Sequence, residues 1–264
     1  MRCLEWPQFL CLSPAEREVS AITLGVFDGV HRGHSALIER IVRRGPCPTV
    51  ITFRENPKWR IAPQEYEGDL FSLEQKLSAF SGLGVERVIL IDFTENFSKI
   101  EGKDFIGLLS DRGRPSFMAL GANFRCGYRQ DTGASSIVEI NRPRGIETEI
   151  LPQVMEGGEP VSSSRIRRAV SRGDLALASR LLGRKAGLYL GDMSPGGNVF
   201  DAAARRRITP PDGSYGVFLF GKTGEGVKTR VDIDRGRVII PSSVEINGGP
   251  LTRLEFIIGD FSPC

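Results

Sequence analysis

Two histidines, His31 and His34, are the residues whose type and spacing best suit chemistry, and the sequence contains no other histidine. They end the string Gly25-Val-Phe-Asp-Gly-Val-His-Arg-Gly-His34, which follows an apolar run and precedes a helical pattern. A spacing of three places both imidazoles on one face of a starting helix, where N–H groups and a partial positive charge attract phosphate. The pattern therefore indicates phosphate transfer, with both imidazoles stabilising charge in the transition state.

Glycines in this string let a nucleotide approach the main chain closely. The residues expected to bind the nucleotide are Gly25, Val26, Phe27, Asp28, Gly29 and Gly33. The alternatives are a zinc site or two ordinary surface histidines, but zinc needs at least a third protein ligand and only Asp28 is near. We expect Asp28 either to orient an imidazole or to lie in the turn, and we expect no metal site built from protein ligands.

Strands alternate with helices through the first part of the sequence. The apolar run of residues 21–27 predicts a buried strand, and apolar residues at helical spacing predict a helix over residues 33–44 that Gly45 ends. Further strands are predicted at 49–53, 87–93 and 117–121, and further helices at 72–82 and 103–110. This alternation predicts an α/β fold, a Rossmann-like domain with a mostly parallel sheet.

The pattern changes in the last third of the chain. Residues 163–170 and 174–182 predict two helices with Gly173 in the turn between them. Short β-rich runs at 215–220, 227–233, 237–240 and 251–258 predict a small all-β, barrel-like domain. We therefore expect two domains, 1–185 and 186–264.

Composition excludes several classes of protein. The chain has 264 residues, 40% of them hydrophobic and 25% charged, and a net charge of +3, which is too weak by itself to indicate nucleic-acid binding. No apolar run approaches the ~20 residues of a membrane span, and the first residues lack a signal-peptide pattern. The five scattered cysteines indicate neither disulfides nor zinc. We expect a cytoplasmic protein with no membrane or nucleic-acid partner, and its oligomeric state is open.

One string imitates a phosphate-binding loop. Residues 216–223, Gly-Val-Phe-Leu-Phe-Gly-Lys-Thr, match G-x-x-x-x-G-K-T letter for letter. Such a loop needs a strand before it and a helix after it, whereas the four middle residues here form a strand pattern themselves. We expect a strand that ends in a turn.

Four strings in sequence order resemble one known family. The H-x-G-H of the first string resembles the signature of the nucleotidyltransferase superfamily, and the whole string resembles the prokaryotic riboflavin kinase/FMN adenylyltransferases, or FAD synthetases. Similar to further family strings are Val50-Ile-Thr-Phe-Arg-Glu-Asn-Pro57 (V-x-T-F-x-x-H-P), Leu120-Gly-Ala-Asn-Phe-Arg-Cys-Gly127 (V-G-x-D/N-F-x-F-G) and Val161-Ser-Ser-Ser-Arg-Ile-Arg167 (I-S-S-T-x-I-R). The resemblance implies ATP and FMN as substrates, FAD as product, and Mg²⁺ carried by the ATP.

The resemblance also implies roles for residues at the start of the predicted helix pair. Serines ahead of a helix that bears arginines predict an anion site, although a plain capped surface helix has the same pattern. The resemblance adds Ser164 and Arg167 to the two catalytic histidines and assigns Ser163 to ATP.

Three further residues are expected at the flavin. Asn123 and Phe124 follow a predicted strand at its carboxyl end, where open α/β sheets bind ligands, although an Asn there is also ordinary turn chemistry. The resemblance assigns Asn123, Phe124 and Pro57 to the flavin. Asn56 replaces the family's histidine, which leaves its own role open.

The C-terminal part departs from the resembling family. There the module is a larger β-barrel riboflavin kinase with a G-x-P-T-A-N string, whose Thr and Asn serve the metal and phosphates. This sequence lacks that string, Asn198 has no such threonine beside it, and Glu255 matches the catalytic region only weakly. We expect an FMN adenylyltransferase without riboflavin kinase activity. The alternatives are a bifunctional enzyme, another small-molecule nucleotidyltransferase, or a non-catalytic flavin- or nucleotide-binding protein.

Overall fold

The structure, a computed structural model, describes residues 1–191, 198–244 and 251–259. The chain divides into two compact units. The first comprises Met1–Tyr66 and Lys76–Met155, and the second comprises Glu67–Gln75 and the residues from 156 onward. These units do not coincide with domains 1–185 and 186–264, so the boundary near residue 185 stays a prediction about independently folding domains.

The frame of the first unit is a parallel sheet. Its strands are β1 (Arg2–Glu5), β2 (Ser20–Leu24), β3 (Pro48–Phe53), β4 (Arg87–Ile91), β5 (Pro115–Gly121) and β8 (Glu147–Leu151). Two further strands, β6 (Arg125–Cys126) and β7 (Thr132–Gly133), form a separate two-stranded ribbon. In the described part of the chain the sheet order is β1-β4-β3-β2-β5-β8, with every neighbouring pair parallel. The predicted α/β class is confirmed, and the two edge strands β1 and β8 are additions to it.

Helices cover both faces of this sheet. They are α1 (Trp6–Leu10), α2 (Arg32–Arg44), α3 (Lys58–Ile61), α4 (Leu73–Gly82), α5 (Glu95–Ser98), α6 (Gly102–Gly113) and α7 (Ala134–Asn141). Short 3₁₀ turns occur at Pro14–Glu16, Pro63–Glu65, Tyr128–Gln130 and Arg142–Arg144. The helices predicted at 33–44, 72–82 and 103–110 are confirmed. Their ends shift slightly, because the exact terminal residues of a helix are the least certain part of such a prediction.

Alternate strand positions face two separate layers of the core. On one face Ile22 and Leu24 of β2 join Phe9, Phe105 and other apolar side chains of α1, α6 and α7. The buried residues of α2, Ile38 among them, lie outside that cluster although α2 contacts β2, β3 and β5. Helix α2 therefore packs on the opposite face, and the apolar spacing that predicts the helix also fixes which side is buried.

The predicted strand at 21–27 is wrong at its carboxyl end. β2 ends at Leu24, and Phe27 has a φ of 53°, in the left-handed region that a strand cannot use. The predicted strands at 87–93 and 251–258 are also too long, since they end at Ile91 and Phe256. An apolar run thus continues past the point where the backbone turns.

The second unit combines two helices with an antiparallel sheet. Its elements are β9 (Met155–Glu156, at the boundary), β10 (Glu159–Pro160), α8 (Ser163–Ser171), α9 (Leu175–Leu182), β11 (Gly187–Tyr189), β12 (Val199–Asp201), β13 (Gly213–Gly221), β14 (Gly226–Asp234), β15 (Arg237–Ile239) and β16 (Leu251–Phe256). Within the described ranges the order is β11-β16-β13-β14-β15-β12, all pairs antiparallel. The predicted helix pair and the small all-β, barrel-like part are confirmed.

None of the helices in the described residues has the length and apolar character that crossing a bilayer requires.

The string that imitates a phosphate-binding loop forms a strand and a turn. Residues 216–221 belong to β13, and Lys222 and Thr223 lie in the turn that leads directly to the antiparallel strand β14. The turn is closed by Gly221 N–H, which donates to the Glu225 carbonyl at 2.9 Å. Because no helix follows the glycines, main-chain N–H groups do not converge there on an anion. The interpretation as a strand that ends in a turn is confirmed.

Replacing Lys222 by alanine is expected to leave ATP affinity unchanged, because this lysine lies in a hairpin turn rather than at a helix N-terminus. Titration calorimetry of wild type and Lys222→Ala with Mg-ATP measures the effect. A loss of affinity of about tenfold, or 1.4 kcal/mol, would show that the turn binds nucleotide after all.

Candidate active site

The loop of residues 25–31 joins the end of β2 to the start of α2, so both histidines lie at this junction. His31 occupies the N-cap position of α2, and His34 is the third helical residue. Their rings are stacked, with centroids 3.6 Å apart and planes inclined by 18°. His31 is buried and His34 is half-buried. The spacing of three thus brings the two imidazoles together at the helix start, as the sequence predicts.

Helix α2 has the charge distribution of an anion-binding helix. It has thirteen residues, its first turn contains no acidic side chain, and Arg43 and Arg44 lie in its last turn. The N-terminus of such a helix carries a partial positive charge that an acidic residue would neutralise. The two imidazoles therefore lie at the end of the helix that favours a phosphate.

The loop before α2 has an unusual backbone. Phe27 and Val30 have φ values of 53° and 35°, and each such residue costs roughly 1–2 kcal/mol. Packing offsets this cost, since the ring of Phe27 is fully buried and lies edge-on to His34 at 5.1 Å and to Phe80 at 5.6 Å between centroids. Any contact of Phe27 with a nucleotide must therefore come from its main chain.

Gly33 leaves room for the first imidazole. A Cβ at Gly33 would lie 3.3 Å from His31 Cε1 and 3.4 Å from its Nδ1, closer than side chains normally pack. Asp28 and Gly29 are buried in the same loop. In the described ranges no three His, Cys, Asp or Glu side chains are grouped so that they could hold a metal ion.

A cavity of about 930 Å³ opens at the carboxyl edge of the parallel sheet. Its walls come from the segments that follow β2, β3, β4 and β5, because parallel strands end at a common edge. Gly25 and Val26, expected at the nucleotide, line it together with Pro57, Asn123 and Phe124, expected at the flavin. The structure thus brings five predicted site residues to one cavity, and its loop of residues 25–31 continues from that cavity to the two histidines.

Aromatic rings that the sequence alone did not single out line much of the cavity. They include Phe53, Phe93, Phe97, Phe105 and Tyr128, and three arginines, Arg60, Arg125 and Arg129, line it as well. The rings of Phe93 and Phe97 lie 5.7 Å and 5.9 Å from that of Phe53, edge to face. Such walls suit a large planar ring with an anionic tail. The sequence did offer a signal for these rings, since Phe93 is the last residue of a predicted strand of the sheet and Phe97 follows it.

Asn56 has a local structural role in place of the family's histidine. Its side-chain oxygen accepts a hydrogen bond from Lys58 N–H at 3.1 Å, at the start of α3. This is a common use of Asn in turns, and it shapes the segment that buries Pro57 in the cavity wall. On the segment that follows β5, Asn123 is exposed and Phe124 is half-buried.

The serines and the arginine of the last string belong to the second unit. Ser162 is the N-cap of α8, and its hydroxyl accepts a hydrogen bond at 3.2 Å from the third helical N–H. Ser163 is half-buried and Ser164 exposed in the first turn, while Arg167 is buried and its Nε donates to the Gly68 carbonyl at 2.7 Å. A serine cap is therefore present, and contact of Ser163, Ser164 and Arg167 with ATP stays a prediction.

Cys126, in the cavity wall, has an unreactive thiol. Burial raises its pKa to about 12, and the negative charge of Asp131 adds to the effect. The thiol therefore stays protonated at neutral pH, and a protonated thiol is a poor nucleophile. The described cysteines Cys3, Cys11, Cys47 and Cys126 are all free, and Cys264 lies outside the described residues.

We expect Cys126 to resist alkylation by iodoacetamide between pH 7 and 9, because its thiolate forms only as the pH approaches about 12. Peptide mass spectrometry after timed exposure measures this, with the exposed Cys11 as the internal reference. Modification of Cys126 as fast as of Cys11 would contradict the raised pKa.

Comparison with known proteins agrees with this geometry. The family model for FAD synthetase matches residues 13–165. A bifunctional riboflavin kinase/FMN adenylyltransferase of Escherichia coli (strain K12) is 30% identical over 222 residues, which cover 80% of this chain and 71% of the relative. One of Bacillus subtilis (strain 168) is 29% identical over 218 residues, covering 76% and 68%.

One solved structure has a similar fold. A crystal structure described as a macrolide-efflux protein from Streptococcus pneumoniae has a TM-score of 0.76 and 19% identity, covering 100% of this chain and 93% of that one. At that identity the likeness concerns the fold alone. The family match spans more than half of the sequence and contains the paired histidines, the cavity segments and the three serines at 162–164. This chain therefore belongs to the FAD synthetase family.

Proposed function

We propose that this protein is an FMN adenylyltransferase, which transfers AMP from ATP to FMN and releases FAD and pyrophosphate. One observation carries the proposal: a single loop leads from an aromatic cavity to two stacked imidazoles at a helix N-terminus. The cavity suits the flavin ring, and the helix end suits the phosphates that must react beside it.

The reaction needs positioning more than proton transfer. A phosphate oxygen of FMN attacks the α-phosphorus of ATP, the new P–O bond forms, and the bond to the β-phosphate breaks as pyrophosphate leaves. The attacking group is already an anion at neutral pH, so a general base has little to do. His31 and His34 donate hydrogen bonds to the transferring and leaving phosphates as charge builds up there.

The remaining predicted residues complete the substrate sites. Gly25, Val26, Asp28, Gly29 and Gly33 form the nucleotide loop with the main chain of Phe27, while Pro57, Asn123 and Phe124 contact the flavin. Ser163, Ser164 and Arg167 bind the β- and γ-phosphates, since a capped helix start with an arginine is an anion site. Mg²⁺ arrives with ATP, held by phosphates and water. We infer a cytoplasmic enzyme whose partners are these small molecules and not nucleic acid.

Riboflavin kinase activity is proposed to be absent. The threonine and asparagine that serve metal and phosphates in the family's G-x-P-T-A-N string have no complete counterpart, and the string ending at Asn198 reads Pro-Gly-Gly-Asn. Residues 192–197 lie outside the described residues. The relatives are bifunctional by name. The match to the Escherichia coli relative covers 80% of this chain and is therefore too long to end at residue 185. The second unit thus keeps similarity to the relatives although it lacks the G-x-P-T-A-N string.

One assay with several acceptors tests the proposed function. Purified protein with Mg-ATP is given FMN, riboflavin, nicotinamide mononucleotide or phosphopantetheine, and the products are separated by chromatography. We expect FAD and pyrophosphate from FMN, and no product from the other three. FMN made from riboflavin would restore the bifunctional alternative, a product from another acceptor would indicate a different nucleotidyltransferase, and flavin binding without pyrophosphate would indicate a sensor.

Replacing His31 by alanine is expected to lower kcat for FAD synthesis by about a hundredfold or more. This is the effect on kcat of removing one hydrogen-bond donor to a charged transition state. FMN binding, followed by flavin fluorescence, should stay within about threefold, because the imidazole lies outside the cavity lining. Near-normal FAD synthesis by His31→Ala would defeat the assignment.

Gly33→Ala separates catalysis from stability. Alanine favours a helix by roughly 0.5–1 kcal/mol over glycine, so Tm should not fall, yet the new Cβ must displace the His31 ring. The His31 ring has to move by only a few tenths of an ångström, and because displacement of a catalytic group by about 1 Å can cost on the order of a hundredfold in rate, we expect kcat to fall by a smaller factor, about threefold to tenfold. Gly107→Ala in α6 is the matched control, since the nearest atom to its Cβ lies 3.9 Å away. Equal activity of the two variants would contradict the placement of His31.

A further inference from the structure

Lys76 is a buried lysine that neither the sequence pattern nor the proposed mechanism uses. It lies on α4 with 6% of its surface exposed. Its Nζ donates to the Phe53 carbonyl at 2.6 Å and lies 3.4 Å from both the Val26 carbonyl and the Thr52 hydroxyl. Oxygen atoms of this kind match the three donors of a lysine side chain. A lysine is seldom buried unless such contacts compensate its desolvation.

These oxygens belong to two segments that form the cavity. Phe53 ends β3, and Val26 lies in the nucleotide loop that follows β2, the neighbouring strand. The Thr52 hydroxyl also donates to the Val26 carbonyl, at 3.0 Å. Two donors from outside the loop, Lys76 Nζ and the Thr52 hydroxyl, therefore converge on the Val26 carbonyl. All three residues belong to the first unit.

The orientation of that carbonyl controls the loop. The Val26 carbonyl and the Phe27 N–H share one peptide plane, so fixing the oxygen restricts rotation about the N–Cα bond of Phe27. That bond is the one held at a φ of 53°, a value that L-residues keep only where their surroundings enforce it. The same loop presents Gly25 and Val26 to the cavity and ends at His31.

We propose that Lys76, together with Thr52, is a positioning residue for ATP: by holding the Val26 carbonyl it fixes the loop that binds the nucleotide and places His31. Lys76 acts through the loop and does not touch the substrate. The inference deepens the proposed function and rests on it for the identity of the nucleotide. It predicts that loss of either donor weakens ATP use more than it weakens FMN binding.

Three variants test this proposal. Lys76→Met keeps the length of the side chain without its donors, Thr52→Val keeps the shape without the hydroxyl, and Thr52→Ser keeps the hydroxyl. For each we would measure the Kd for Mg-ATP and for FMN by calorimetry and fluorescence, together with KM and kcat for both substrates. Lys103→Met, at an exposed lysine outside the site, is the control for loss of a positive charge.

We expect Lys76→Met to weaken ATP binding, and to lower kcat/KM for ATP, by about tenfold or more, the scale of one charge-assisted hydrogen bond, and Thr52→Val to do so by about fivefold, the scale of a neutral one. FMN affinity should change by less than about threefold in Thr52→Val, and by less than ATP affinity in Lys76→Met, which also loses the contact with the Phe53 carbonyl in the cavity wall. Thr52→Ser and Lys103→Met should resemble wild type within about threefold. A general loss of stability would instead weaken both substrates alike, and that result overturns the proposal.

The outcomes also separate this proposal from the proposed function. If Lys76→Met does not fold, the pair Thr52→Val and Thr52→Ser decides, and equal ATP affinity in that pair overturns the role of the Val26 carbonyl. If wild type makes FAD and all variants bind ATP normally, only the positioning role fails. If wild type makes no FAD, the proposed function fails, and the ATP affinities still test the positioning role.

Discussion

The structure depends on one constraint, the sharp turn by which a buried strand gives way to the helix that bears both histidines. Phe27 and Val30 lie in a backbone region that their side chains disfavour, and the turn persists because both side chains are buried. The hydrophobic effect thus holds a strained loop whose first residues, Gly25 and Val26, line the cavity. Without this turn neither the stacked imidazoles nor the N-terminus of α2 would lie beside the cavity loop.

The parallel sheet supplies the rest of the site. Because β2, β3, β4 and β5 run in one direction, the segments after them meet at one edge and enclose the cavity. Pro57, Asn123 and the rings after β4 are far apart in sequence but follow strands of this one sheet. Function is therefore concentrated in loops, and the apolar strands behind them serve to hold those loops in register.

Much of the fold could be predicted from the sequence, because it follows from local patterns of residues. Helix α2 was predictable from apolar residues at helical spacing and a terminal glycine, and the meeting of the histidines from their spacing. The edge strands β1 and β8 were missed because edge positions mix exposed polar residues such as Arg2 and Glu147 with few apolar ones, which weakens the strand pattern. The end of β2 was misplaced because Val26 and Phe27 are good strand formers, and only tertiary packing turns them out of the strand.

The candidate site shows the same division between local and tertiary information. Asn123 and Pro57 were predictable because they lie in strings that resemble a family. The aromatic wall and Lys76 were not, since a lysine on a helix normally indicates a solvent-exposed face. Its burial becomes apparent only when the carbonyl groups of two other segments are placed around it.

The most direct measurement uses the fact that this chain has only two histidines. Proton–nitrogen NMR spectra of the imidazoles, assigned with single His→Gln variants, can be followed while Mg-ATP is added to the intact protein. If phosphates bind at the junction of β2 and α2, the signals of both rings shift together and saturate at the ATP concentration that saturates binding by calorimetry. If ATP binds and neither imidazole signal moves, the nucleotide lies elsewhere and the account is wrong.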